Sequence, residues 1–118
     1  MPLISMRPVA GALLAAGLLA APGALAQSFD CAKAAAADEK AVCASPALSR
    51  LDTQMADAYA AARRCAMMGM QGILLDEQRA FLAQRAACGA DDGCLEKAYR
   101  ARIRKLEADK AEIGQGAC

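Results

Sequence analysis

Apolar residues recur at intervals of three and four along most of this chain, and no stretch alternates them regularly with polar ones. That is the period of helices rather than strands. The clearest stripe is Leu48, Leu51, Met55, Ala58, Tyr59 and Ala62, running to about Cys65. Ser45 fits its N-cap, and Pro46 its first helical position, where the missing N–H costs nothing. A short helix is expected ahead of it over residues 37–44. Asp38 and Glu39 fall in its first turn, where the helix dipole favours acids. The run Met67-Met68-Gly69-Met70-Gln71-Gly72 breaks the period and reads as a loop. A third helix is expected from about Leu74 to Cys88, with Leu74, Gln78, Phe81, Leu82 and Arg85 on one side and Gly89 just past its end. Asp91-Asp92-Gly93 reads as a turn able to cap a fourth helix. That helix, about Cys94 to Ile113, carries Leu95, Ala98, Tyr99, Arg102, Ile103 and Leu106. The expected fold is all-α: a small disulfide-stapled antiparallel helical hairpin or three-helix bundle with a short N-terminal helix.

The first 26 residues have a different pattern, that of a cleaved secretory leader. Arg7 supplies the charge and Val9–Leu19 the apolar run. Pro22-Gly23 breaks it before an A-x-A site at Ala24-Leu25-Ala26. The run is short for a membrane span and no second one follows. Removing 26 of the 118 residues leaves 92, one small domain over residues 27–118, without membrane insertion. Cys31 lies five residues past the cut and lacks the small-residue run that lipid attachment needs. The protein is therefore expected free in the periplasm or secreted.

Charge and composition then exclude several functions. Of 14 basic residues, Arg7 leaves with the leader, so 13 remain against 13 acidic ones. A near-neutral domain has no electrostatic grip on nucleic acid or anionic lipid. The chain has no histidine, which removes His-based metal sites and Ser-His or Cys-His nucleophiles.

The six cysteines of an exported chain are expected to form disulfides. In an up-down-up bundle Cys31, Cys43, Cys88 and Cys94 gather at one end, and Cys65 and Cys118 at the other. Topology pairs Cys65 with Cys118. Cys88 and Cys94 flank a turn and pair easily. Cys31 and Cys43 on one continuous helix would sit about 18 Å apart at 1.5 Å per residue, so their bond needs residues 31–37 to fold back. An exchange between these last two pairs stays open.

Other groups carry a chemical and a plainer reading. Asp52, Arg79, Arg85 and Arg102 lie on or beside apolar stripes, and read as a partly buried ion-pair network holding the helices in register rather than a binding surface. Cys65 with Met67, Met68 and Met70 has the soft donors of a Cu(I) site, but a bridged Cys65 cannot ligate. Glu39, Glu77, Asp91 and Asp92 have the chemistry of a carboxylate pair in a hydrolase, yet acids at helix starts follow from capping alone. Tyr59 and Tyr99 read as core aromatics with wet hydroxyls. No catalytic residue, metal or cofactor is expected.

The first half carries Ser28-Phe29-Asp30-Cys31-Ala32-Lys33-Ala34, Glu39-Lys40-Ala41-Val42-Cys43, Pro46-Ala47-Leu48, Leu51-Asp52 and Tyr59. The second half adds Glu77-Gln78-Arg79-Ala80-Phe81-Leu82, Arg85, Cys88-Gly89, Cys94-Leu95 and Ala98-Tyr99-Arg100-Ala101-Arg102-Ile103. Together these segments resemble the lysozyme-inhibitor LprI-like family of exported bacterial proteins, over nearly all of residues 28–106. Phe81 stands where the family usually has tryptophan. Cys65 and Cys118 look like an extra pair, and Met67–Gly72 falls where the family varies. The resemblance implies a non-catalytic exported protein that binds and inhibits lysozyme-type peptidoglycan hydrolases. The turn Gly89–Gly93, with Asp91 and Asp92, and the segment Arg64–Ile73 are the candidate contact regions. The alternatives are a cell-envelope adaptor domain and a periplasmic metal or redox protein.

Overall fold

The computed structural model describes Gly11 and residues 28–113. The rest of the leader and Cys118 lie outside the described residues. Four α-helices follow a short 3-10 turn at Cys31–Lys33: α1 Ala37–Ala44, α2 Pro46–Cys65, α3 Met68–Cys88 and α4 Asp92–Ile113. Among the described residues there is no strand. The fold is a small all-α, disulfide-stapled bundle.

Local chemistry sets each corner. Ser45 ends one helix and starts the next. Its N–H donates to the Ala41 and Val42 carbonyls at 3.2 and 3.4 Å, and its Oγ accepts from the Leu48 N–H at 3.2 Å. Ser49 Oγ donates to the Val42 carbonyl at 2.7 Å and holds the α1–α2 angle. At the α3–α4 corner Gly89 takes φ +58°, a left-handed conformation that glycine adopts without penalty. Asp91 Oδ1 then accepts from the Cys94 N–H at 3.0 Å, so α4 begins at Asp92, two residues before the expected start.

The expected loop at Met67–Gly72 is instead the first turn of α3, and only Ala66 and Met67 separate α2 from α3. Each glycine in a helix costs about 1 kcal/mol relative to alanine. Here tertiary bonds outweigh that cost. Gln71 Nε2 donates to the carbonyls of Arg63 and Ala66, and Gln71 Oε1 accepts from Arg63 Nε at 3.2 Å. One side chain thus satisfies the open carbonyl end of α2 while sitting in the first turn of α3.

Helices α2 and α4 run parallel and form the main contact. Asp52 meets Tyr99 near their starts, and the Arg102 guanidinium lies 6.0 Å from the Tyr59 ring centre one level further on. Helix α3 returns antiparallel, bringing Gln78 to Met55 and Arg102 and Arg85 to Asp38. The buried core is Val42 of α1, Leu48, Leu51, Met55, Ala58 and Ala62 of α2, Leu74 and Phe81 of α3, and Leu95, Ala98, Tyr99 and Leu106 of α4. Phe81 packs edge-on against Tyr99 with ring centres 5.2 Å apart, a favoured aromatic geometry. Leu82, expected beside Phe81 in the core, is 39% exposed. Buried Leu74, Gln78, Phe81 and Arg85 follow steps of four, three and four, so the neighbouring position 82 turns outward.

Cys31 is bonded to Cys43 across Cα atoms 5.7 Å apart, and Cys88 to Cys94 across 5.5 Å. The 3-10 turn and residues 34–36 fold back along α1, which makes the first bond possible. Cys65 is also disulfide-bonded; its expected partner, Cys118, lies outside the described residues. Such bonds mark an oxidising compartment. Among the described residues no helix is long and apolar enough to cross a membrane.

Candidate functional site

A chain of buried polar groups crosses the bundle beneath the N-terminal segment. Asp52, fully buried on α2, is its hub. It accepts from the Ser28 N–H and the Ser28 hydroxyl, both at 2.7 Å, and from the Tyr99 hydroxyl at 2.8 Å. Arg85 Nη1 stands 3.8 Å from the same carboxylate. Arg85 Nε donates to Asp38 Oδ2 at 2.8 Å, and the Phe29 ring stacks over the guanidinium at 5.0 Å. Helices α1, α2, α3 and α4 each contribute one member, and residues 28–29 cover them.

These positions follow from local sequence. Asp38 is one helical turn before Val42 and shares its buried face. Asp52 follows Leu51 on the α2 stripe, and Arg85 sits one turn after Phe81. Burial on its own lowers the Arg85 pKa, but Tyr99 and the Asp38 carboxylate outweigh it, and the net direction is up. The Tyr99 phenol is pushed well above its ordinary value, first by burial and then by the Asp52 carboxylate it donates to, with Arg85 partly opposing.

The Tyr99 shift has a pH consequence. A raised folded-state pKa adds stability that is complete below the unfolded value, about 10 for a tyrosine. That stability is lost as pH rises above it toward the folded value. Tyr99→Phe should cost about 1–3 kcal/mol at pH 7, because Asp52 loses a donor inside the core. The gap between wild type and variant should narrow by about 1 kcal/mol as pH rises from 10 to 11. Urea unfolding followed by circular dichroism at each pH measures it. A gap that stays constant across that range would show that Tyr99 does not act as a buried proton donor.

A second buried group lies one level up. Arg102 Nε donates to Gln78 Oε1 at 3.0 Å, Arg102 Nη1 pairs with Glu77 at 3.2 Å, and Gln78 Nε2 reaches the Met55 sulfur at 3.2 Å. Lys105 bridges Glu77 at 3.6 Å and also bonds Asp109. The hydrogen bond that Lys105 Nζ donates to Asp109 Oδ1 is the main cause that raises the Lys105 pKa. Asp109 Oδ2 is buried without a hydrogen-bond partner.

The structure thus brings Asp52 and Arg85 into one network and puts Arg102 in a second. It leaves Arg79 out of both. The Arg79 side chain is 71% exposed and among the described residues pairs with Asp76, at 3.8 Å, because position 79 lies one step beyond buried Gln78. Asp38, Glu77, Gln78 and Tyr99 hold the places that Arg79 was expected to share. With α3 expected to start at about Leu74, the helix dipole accounts for acids at Asp38 and Glu77 without requiring these partners. The signal for Asp38 was its four-residue spacing from Val42.

At the surface, Asp91 and Asp92 are exposed at the α3–α4 corner. The Asp91 carboxylate caps α4, so Asp92 is the freer charge. The Cys88–Cys94 bond clamps the corner from behind. Beside it runs an open groove of about 790 Å³. The cystine, Ala98 and Ala101 line it together with Lys97, Arg100 and Arg104. The Cys65 sulfur is held in a disulfide, so it is no thiolate for the soft-metal reading. The contact region expected at Arg64–Ile73 is helical apart from Ala66 and Met67. Comparison of the chain with protein-family models, curated proteins and solved structures finds no match.

Proposed function

We propose that this is an exported, non-catalytic binding protein, periplasmic or secreted after loss of its leader, that inhibits lysozyme-type peptidoglycan hydrolases. The reading rests on the resemblance to the LprI-like family. The supporting observation is the α3–α4 corner. It is exposed, charged and held rigid by a disulfide on its own flanks, so little entropy is lost when it docks. Lys97 and Arg104 line the adjoining groove, which supports a contact with the acids of a sugar-cleaving cleft, with Asp92 against a basic rim. The Asp38 and Asp52 carboxylates are held by structural partners, which fits binding rather than catalysis.

The test is lysis of a peptidoglycan suspension by lysozyme with increasing amounts of the oxidised protein. Inhibition should saturate near a one-to-one ratio and show no turnover. It should weaken as salt rises, since exposed charges are screened over about 8–10 Å at physiological ionic strength. Asp92→Lys should slow association more than it speeds dissociation. Full lysis at several-fold excess, with lysozymes of more than one type, would reject inhibition and favour an envelope adaptor.

A further inference from the structure

One flank of α3 carries a pattern that the three-helix bundle does not use. Met68, Gly72, Leu75, Arg79, Leu82 and Ala86 follow one another in alternating steps of four and three. That is the 3.5-residue period of a coiled-coil seam. All six are exposed, Met68 by 93% and Leu75 and Leu82 by 38% and 39%. The core residues of α3 lie on the adjoining face and are already covered. Large apolar side chains in a row on a helix with a free flank mark an interaction surface.

The order of sizes says what fits there. The seam has two rows: Met68, Leu75 and Leu82 in one, and Gly72, Arg79 and Ala86 in the other. In a parallel pair each row faces itself, so Gly72 meets Gly72 and Arg79 meets Arg79, leaving a void and a charge clash. In an antiparallel pair each row faces the other. With a two-fold axis near residue 77, Leu82 sits on Gly72 of the second copy, Met68 on Ala86, and Leu75 on the aliphatic stem of Arg79. Every large side chain then meets a small or flexible one, which close packing requires. The charges agree. Asp76 and Arg79 are 81% and 71% exposed and 3.8 Å apart within one helix. In the antiparallel register each Arg79 head reaches Asp76 of the other copy, as a long basic side chain can while its stem stays packed.

We propose that this flank of α3 is a self-association surface, and that its occupant is the same helix of a second copy running antiparallel. The contact from Met68 to Ala86 is about 28 Å long at 1.5 Å per residue. One helix pair of that length falls near or below the roughly 1,200 Å² at which stable interfaces begin. The dimer should therefore be weak and dependent on concentration.

Sedimentation equilibrium of the purified oxidised protein tests this. The mass should pass from one copy to two between low and high micromolar concentration. Gly72→Leu should weaken association at least tenfold by filling the seat of Leu82. The site is open, with nothing within 4 Å of an added Cβ, and loss of a helical glycine favours the monomer fold, so thermal melting should not fall. Leu82→Glu should weaken association similarly. Ile73→Glu, on the other flank of α3, should leave it unchanged. A single copy at every concentration would overturn the proposal. So would a dimer that tolerates Gly72→Leu and Leu82→Glu, or one that Ile73→Glu abolishes.

Discussion

Reduction of the disulfides should unfold this protein at 37 °C. The Cys31–Cys43 and Cys88–Cys94 bonds span sequence separations of 12 and 6 residues. In the chain-entropy model, closing loops of that size stabilises the fold by about 3 and about 2 kcal/mol. The bond at Cys65 adds to this. A small domain has a total stability of about 5–15 kcal/mol, so losing these terms together leaves little or nothing. The effect also has a structural route. Residues 28–33 reach the bundle through Ser28 on Asp52 and through Cys31 on Cys43. Once the second tie is cut, the first must hold the segment alone, and Arg85 loses the Phe29 cover when it lifts. Thermal melting by circular dichroism, with and without a reductant, measures the effect. A melting temperature lowered by only a few degrees on full reduction, with thiols counted to verify it, would show that helix packing alone holds the fold.

Arg85→Met should cost about 3–5 kcal/mol, because it leaves the buried Asp38 carboxylate without its cation and removes the charge beside Asp52. For a domain this size, each kcal/mol shifts the melting temperature by about 4–8 °C, so a fall of about 12–40 °C is expected. Methionine keeps much of the volume, and the effect therefore reports charge and hydrogen bonding rather than a cavity. The double variant Arg85→Met, Asp38→Leu should recover part of the loss. Exchanging both ends of a buried ion pair for apolar groups removes the unpaired charge as well as the bond. If the single variant melts within a few degrees of wild type, water reaches the Asp38 carboxylate and the pair is not a buried one. If the double variant is worse than the single, the cost lies in packing.

Much of this architecture was legible in the chain. The steps of three and four in Leu48–Ala62 and Leu95–Leu106 specified α2 and α4 with their buried faces. Ser45-Pro46 located the α1–α2 corner, because a hydroxyl acceptor followed by a residue without N–H suits a helix start and little else. Gly89 and Asp91 located the next corner in the same way. These signals are local, and local sequence determines them. The Met67–Gly72 segment was not legible. Its two glycines argue for a loop, and the carbonyls of Arg63 and Ala66, eight and five residues back across the α2–α3 corner, give Gln71 partners that favour the helix.

The polar residues divide along the same line. That Asp52 and Arg85 would be drawn into the core could be read from their places beside Leu51 and Phe81. Which groups they would meet could not. Asp38 lies 47 residues from Arg85, Tyr99 lies 47 from Asp52, and no local period joins them. Arg79 looked equivalent to Arg85, yet one step around the helix sends it to solvent. The sequence by itself determined α1, α2, α4 and the body of α3 with their main apolar stripes, because those depend on contacts within a few residues. The tertiary structure decided the disulfide partners at the N-terminal end, the buried ion pairs, and which flank of α3 stays open. Those depend on how four helices share a limited interior, where the position of each element changes what every other can touch.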